Sequence, residues 1–492
     1  MGDSLVEDTH YIDRATYRPS SPVTRGEYVG AEGDWTPWIL ERLVFALLLA
    51  GALSAGLALL VSAAPTTIWR LLRWGADRVP IASAEAVAIF RIIFGVGVLA
   101  IVLTRPLGAG LATWQLCWGI LFIAGLMART SFVMLTAGVL AWAPVFTTQI
   151  GAHAISALLV ALICLLWSRW GDAWSIDAWL RQRRGAKVHS SPSRLYGYTV
   201  WIPGVVLGMA FAAAALAKVR ENGLAWMLNG TVKYHFLTDS VNAPVEWGLK
   251  LGLHPNLAVF FSIAAVAIEA LVIVGAFSRV YRYRAAAGIA ALSIFIGFAL
   301  FQGVFWPAWW ILLLAFLPWH RINEGAVLLA PRSAPPLRRS SLEVVQVAVV
   351  AVLIVQQVFV SALEIELNPL LSTYDMYATT YDSPQDYEYK AGVTYWLVTR
   401  MTGRPTEDCP ITQIEAQTLS ALTGDVVDPR SVGPIVEECV QQYGRPLESP
   451  PSVIQVWVER RSVAVDWTQW RLAGLKTVPL AGPIRLDLST PR

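Results

Sequence analysis

The chain reads as a polar opening, a long series of apolar runs and a mixed closing segment. Residues 1 to 37 carry seven acidic groups, three basic ones and no apolar run. They read as a polar tail, and they lack the basic start and short apolar core of a cleaved signal peptide. From residue 38 the character changes. A bilayer core of ~30 Å takes ~20 helical residues to cross. Apolar runs of about that length stand near 38 to 63, 84 to 104, 111 to 128, 131 to 150, 152 to 168, 196 to 217, 256 to 277, 285 to 303, 304 to 320 and 344 to 363. The pattern predicts an all-α polytopic membrane bundle of about ten transmembrane helices.

The polar positions between the runs orient the bundle, because Lys and Arg in short loops resist translocation. Arg70, Arg73 and Arg78 follow the first run and Arg129 follows the third. Arg169, Arg181, Arg183, Arg184, Lys187 and Arg194 follow the fifth, Arg279, Arg282 and Arg284 the seventh, and Arg321, Arg332, Arg338 and Arg339 the ninth. Every odd-numbered exit is basic. With those exits cytoplasmic, both termini are extracytoplasmic, as in a bacterial cell membrane. The first run also fits a peripheral or re-entrant hairpin.

Residues 364 to 492 have a different texture, with 17 acidic and 11 basic groups and frequent proline. Gly392 to Thr399 and Val453 to Val458 are rich in β-branched and aromatic residues with partial alternation, which suits strands. This segment is expected to form a small C-terminal β-containing extracytoplasmic domain. Its two cysteines, Cys409 and Cys439, would pair in an oxidising outer compartment. Cys117 and Cys164 fall inside apolar runs and read as packing residues.

Composition agrees with the pattern: 55% of residues are hydrophobic, 15% are charged and the mean hydropathy is +0.51. The 22 Trp suit the depth where a bilayer meets water. A net charge of +3 gives no basic excess of the kind a nucleic-acid binder displays. The lipid bilayer is therefore the expected partner, with room for a peptide or protein at the outer face.

A charge at mid-bilayer costs on the order of 3 kcal/mol, so each one needs a reason. Glu269 lies near the centre of the seventh run. Arg91 sits in the first half of the second, with Glu85 six residues before it. Both read first as buried structural groups, an ion pair or hydrogen-bonded brace, and second as proton or substrate groups. Lys218 closes the sixth run behind Ala-Ala-Ala-Ala-Leu-Ala, and His153 opens the fifth. The inferred topology puts both at the outer end, where one cavity could hold them. An amine against alanines loses hydration, which makes its neutral form accessible, and an imidazole beside it could pass a proton. Taken singly, Lys218 reads as a snorkelling lysine and His153 as an interfacial histidine. The outer segment 218 to 255, with Trp226, His235, Trp247 and His254, suits a covering over such a cavity. No phosphate-binding glycine loop, serine-hydrolase elbow or zinc-spaced Cys/His cluster is present, and no metal is expected.

Several of these residues sit in a familiar order. Ala-Ile-Phe-Arg91-Ile-Ile-Phe-Gly resembles the opening helix of the HTTM (horizontally transferred transmembrane) family, which includes the vitamin K-dependent gamma-carboxylases. The His153 helix followed by Asp172-Ala-Trp-Ser-Ile-Asp177 is similar to that family's histidine helix and the loop after it. Ala-Leu-Ala-Lys218, then Trp226-Met-Leu-Asn-Gly-Thr, resembles its lysine segment and following turn, and Glu269 fits as well. The resemblance spans residues 82 to 320. It implies a base at Lys218 with His153 in the same site, and a reduced vitamin K-type naphthoquinone as cofactor. It further implies that quinol oxidation is coupled to proton abstraction at the outer face. Ile296 stands where the family commonly has a histidine, and the outer domain is shorter than the carboxylases' lumenal portion.

The organisation expected is a tail at 1 to 37, an extra N-terminal helix and linker at 38 to 80, and an HTTM-like membrane domain at 82 to 320. A cytoplasmic loop with the last transmembrane helix at 321 to 363 and the outer domain at 364 to 492 complete it. Two functions fit this organisation best. One is a carboxylase-like enzyme, and the other is a non-catalytic assembly, export or immunity factor whose outer domain binds a partner. A transporter fits less well, because no paired halves or paired broken helices are evident.

Overall fold

The computed structural model describes residues 74–104, 108–150, 153–185, 191–239, 243–323, 341–363 and 453–487, parts of 374–440, and a few isolated residues between 48 and 70. The 1 to 37 tail and almost all of the expected first span, 38 to 63, lie outside the described residues.

Helix α1, Ala84–Leu103, starts where the extended Ser83 turns its hydroxyl back to accept from the Ala86 N–H at 3.1 Å. This satisfies one of the donors a helix start leaves open. Glu85 occupies the first turn, at the positive end of the helix dipole. Helix α2, Ala109–Ala124, stops at Gly125, whose φ of 71° is the left-handed conformation that closes helices. Then come α3, Ala128–Ile150, α4, His153–Leu165, and the short α5, Ile176–Arg183.

Helix α6, Arg194–Asn222, is the axis of the bundle. It packs on α1, on α4, on α10, Pro255–Ala276, and on α13, Ser341–Leu363. Between α6 and α10 lie three short helices: α7, Ala225–Leu228, α8, Val232–Thr238, and α9, Trp247–Gly252. Helix α11, Tyr281–Phe301, follows α10 as its neighbour. Gly208 lets α6 and α10 meet closely, since a Cβ there would stand 2.8 Å from the Ile273 Cα.

Among the described residues, five helices are long and apolar enough to cross a membrane: Ala84–Leu103, Arg194–Arg220, Pro255–Ala276, Tyr281–Phe301 and Val345–Leu363. Ala109–Ala124, the described parts Ala128–Ala143 of α3 and Ile155–Leu165 of α4, and Pro307–Phe316 are apolar stretches of fewer than 18 residues. Among the described residues, ten full-length spans are thus not supported. The expected span at 304 to 320 shows why. Gly303, at φ 67°, turns the chain, one helical turn follows (α12, Pro307–Trp310), then a 3₁₀ turn over Ile311–Phe316, and Pro318 follows the extended Leu317. These two pieces rise only ~18 Å together, too little to cross alone. The segment nevertheless returns along the bundle, because the His320 ring lies 4.7 Å from that of Tyr281 at the start of α11. Ala308, Trp309 and Leu312 are fully buried, so this irregular backbone is sheltered by protein.

The basic exits gather at one end. Asp77 pairs with Arg194 at 3.1 Å and Arg279 at 3.4 Å, Arg78 donates to the Phe277 carbonyl at 3.2 Å, and Arg284 donates to the Arg78 carbonyl at 2.6 Å. The Asp177 carboxylate accepts from the N–H groups of Met127 and Ala128 at the start of α3. The Arg321 guanidinium lies 6.0 Å from the Tyr281 ring. These contacts draw the loops before α1, α3, α6 and α11 and the one after the 3₁₀ turn into one layer. The α7–α9 segment lies at the other end.

The C-terminal part holds one sheet of five strands in the order β2-β1-β4-β5-β3, antiparallel except for β3 on β5. Its strands are β1, Thr394–Thr399, β2, Glu407–Ile411, β3, Val426–Val427, β4, Val453–Asp466, and β5, Arg471–Asp487. Two helices, α14, Pro384–Lys390, and α15, Gln413–Ala421, accompany it. Both segments expected as strands fall in β1 and β4. Leu397, Ile411, Val456, Val458, Ile484 and Leu486 form the core beside a Cys409–Cys439 disulfide. Closing a loop of 30 residues in this way stabilises by about 4 kcal/mol on chain entropy alone. Reduction is expected to lower the urea midpoint of this part accordingly and to expose two thiols to labelling. Equal midpoints with and without reductant would contradict the role.

Candidate functional site

Beneath the α7–α9 segment, a buried ion pair joins α6 to α10. Lys218 lies one turn before the end of α6, and Glu269 sits inside α10. The Lys218 Nζ donates to Glu269 Oε1 at 2.9 Å and Oε2 at 3.0 Å. Each residue is only 3% exposed. Two charges withdrawn from water this far are tolerable because each meets its opposite with hydrogen-bond geometry; either one alone would be a large penalty.

The short helices α7 and α8 cover the pair. After α6 the chain turns through α7 and Gly230, whose φ of 63° and 3.0 Å approach to Ala258 leave no room for a side chain. The Val232 N–H then donates to the Ser262 hydroxyl at 3.1 Å, fixing α8 on the first half of α10. This return puts the Trp226 ring 5.3 Å from the Lys218 Nζ, a cation–π contact. The His235 ring stacks on Trp226 at 6.1 Å, and Tyr381 lies 5.4 Å from His235.

Beyond them an aromatic cluster of Tyr234, Tyr381, Tyr387, Trp467 and Trp470 joins the short helices to the turn between β4 and β5. Trp470 lies on Gly252 of α9, where a Cβ would collide with its indole. Burial pushes the Tyr234 phenol up to about 12, helped by Asp386 and Asp382, and pushes Tyr381 higher still. Burial lowers Lys233, whose amine faces the Tyr234 and Trp470 rings at 5.0 and 5.4 Å.

The structure sorts the residues singled out from sequence. His153 opens α4, and its side chain lies outside the described ones. The close partner of Lys218 is the Glu269 carboxylate, where the sequence reading set an imidazole. Arg91 reaches neither Glu85 nor Glu269. It is a hydrogen-bonded brace, donating to the carbonyls of Trp170 at 2.7 Å, Ala173 at 3.4 Å and Trp174 at 2.6 Å. Trp226 and His235 were visible only as parts of a covering segment, and Tyr381 carried no signal of its own. Among the described residues, no His, Cys, Asp and Glu group gathers in a way that could hold a metal ion.

Chemically, the pair sets an amine beside a carboxylate, joined by two hydrogen bonds and shielded from water, so a third polar group brought within reach would meet a donor and an acceptor at once. No family model, curated protein or solved structure matches the chain.

Proposed function

We propose that this integral membrane protein is an enzyme of the HTTM type whose working group is the Lys218–Glu269 pair under Trp226. The observation that carries the reading is the pair itself, a buried amine and carboxylate at 2.9 Å in an apolar helix bundle. Such groups are expensive at this depth and mark functional sites. In this reading the basic layer faces the cytoplasm and the aromatic cover faces outward, with both chain termini on the outer side. His153 stands near the same end, at the start of α4.

The residues present suit a reduced vitamin K-type naphthoquinone in kind, with a proton-exchanging pair and flat indole, imidazole and phenol rings close by. Such a quinol would supply an acidic hydroxyl and the reducing electrons for oxygen. With the pair's proton resting on Glu269, the neutral Lys218 amine would take up the hydroxyl proton, the Glu269 carboxyl group would stay hydrogen-bonded to the resulting ammonium, and Trp226 and His235 would keep water away.

The test uses full-length protein in nanodiscs with a reduced naphthoquinone and oxygen, with epoxide as the readout. Loss of a general base is worth about 10²- to 10⁴-fold. Lys218→Ala is expected to fall by that factor. Equal turnover in the two proteins would remove the assignment. The second reading, a non-catalytic protein with a partner-binding outer domain, is favoured by one feature: Lys218 spends its hydrogen bonds on both oxygens of Glu269. Turnover absent from the wild type would support that reading.

A further inference from the structure

At the basic end, Arg91 does more than fill a space. Its guanidinium fork holds the carbonyls of Trp170, Ala173 and Trp174, which fixes the loop leading into α5. Ser175 caps that helix by accepting from the Ala178 N–H at 2.9 Å, and the Asp177 N–H donates to the Gly125 carbonyl at 3.0 Å. Two non-glycine residues are held here in left-handed backbone, Trp174 at φ 41° and Met127 at φ 44°. That conformation is unfavourable for both and persists only where surrounding contacts impose it. Its outcome is that their apolar side chains point outward. Trp174 is 62% exposed, Met127 50% and Trp179 48%, with Ile176 beside them. Large apolar groups gathered on one face mark a contact surface.

The charges on the same face have one sign in excess. Asp172 is taken by Arg169 at 2.9 Å and Arg181 at 3.1 Å, and Asp177 is taken by the start of α3. Among the described residues no carboxylate pairs with the exposed Arg129, Arg183 or Arg184. The Arg183 guanidinium lies 3.9 Å from the Trp179 ring, so cation and indole form one unit. A short helix with Trp and Ile on one side and Arg at its end has the make-up of an element lying in the plane of a membrane surface.

We infer that the α5 face is a binding surface for acidic phospholipid headgroups. The indoles of Trp174 and Trp179 and the Met127 and Ile176 side chains enter the boundary between headgroups and chains, and Arg129, Arg183 and Arg184 meet the phosphates. Zwitterionic headgroups offer the apolar contact without the net charge, so the surface separates the two lipid types. The inference rests on the bundle lying in a bilayer and is independent of chemistry at Lys218.

The experiment titrates full-length protein in neutral detergent with short-chain phosphatidylglycerol, phosphatidylcholine or inorganic phosphate, and counts retained ligand by native mass spectrometry. Phosphatidylglycerol is expected to bind at least ~10-fold more tightly than phosphatidylcholine, and less so as salt rises. The double variant Arg183→Gln, Arg184→Gln is expected to lose about twenty-fold for phosphatidylglycerol and little for phosphatidylcholine. Trp174→Ser with Trp179→Ser is expected to weaken both lipids. Equal binding of the two lipids, unchanged phosphatidylglycerol binding in the arginine variant, or displacement of the lipid by inorganic phosphate at equal concentration would each overturn the proposal. Failure of the wild type to enter phosphatidylcholine nanodiscs would remove the bilayer premise itself, and a lost epoxide activity would leave the inference standing.

Discussion

Glu269→Leu is expected to destabilise the bundle by about 3 to 5 kcal/mol, because it strands the Lys218 ammonium in a site that admits almost no water. The carboxylate is the partner for two of the three donors on that amine, at 2.9 and 3.0 Å. The nearby Trp226 ring offers only a cation–π contact. Removing both charges together should be far milder. Lys218→Met combined with Glu269→Leu is expected to recover most of the loss, since well-packed apolar side chains often replace a buried pair at no net cost. Unfolding midpoints in mixed detergent, taken as a double-mutant cycle, measure the coupling. A cycle in which the two single losses simply add would show that the pair does not act as a unit. The cycle also bears on the proposed chemistry, because the double variant separates folding from turnover.

The second large effect concerns Arg91. Arg91→Ala is expected to cost about 3 to 5 kcal/mol, the range of a broken buried hydrogen-bond network with a cavity added. Three carbonyls lose a charged donor at once, and the loop from Trp170 to Trp174 loses its tie to α1. The first shell of damage is local. Phe90 stacks on Trp170 at 6.2 Å, and Phe132 packs on the same indole at 4.9 Å, so the loosened loop disturbs a packed aromatic layer. Arg91→Lys should regain only part of the loss, because an ammonium lacks the planar fork that spans separated carbonyls. Hydrogen exchange across 170 to 184 is the direct measure: protection should drop there in Arg91→Ala and stay unchanged at β4. Uniform loss across the chain would show that Arg91 acts on global stability alone.

Apolar run length and loop charge carried much of the bundle. The five long helices match expected spans at 84 to 104, 196 to 217, 256 to 277, 285 to 303 and 344 to 363, and the basic exits meet in one layer. Run length failed at 304 to 320 because average hydropathy is blind to where Pro307 and Pro318 fall and to the left-handed turn at Gly303. Alternation found β1 and the first half of β4 but missed the short edge strands β2 and β3 and also the long β5, where Gly474, Pro479, Gly482 and Pro483 interrupt the pattern.

The site was half legible. Glu269 and Lys218 each stood out as a charge in an apolar span, and opposite signs on separate spans argue for pairing by themselves. The sequence reading instead weighed Lys218 by the end of the bundle it shares with His153. Of the two readings open for Arg91, ion pair or hydrogen-bonded brace, the brace is the one the hydrogen bonds support, and its partners are backbone carbonyls, which no side-chain pattern announces. The contacts among Trp226, His235 and Tyr381 depend on the return of α7 and α8 over α10, a tertiary turn set by Gly230 and Ser262.

The segment from Pro307 to Phe316, buried at Ala308, Trp309, Ile311, Leu312 and Phe316, bears on how this protein comes to be assembled. An element with so few helical turns has open backbone groups that lipid cannot satisfy, so it has no stable existence among acyl chains on its own. Its carbonyls and amides become tolerable only after α6, α11 and α4 supply the walls around it. The flanking helices are therefore expected to insert before this stretch settles between them, so that protection of its amides from hydrogen exchange would arise last.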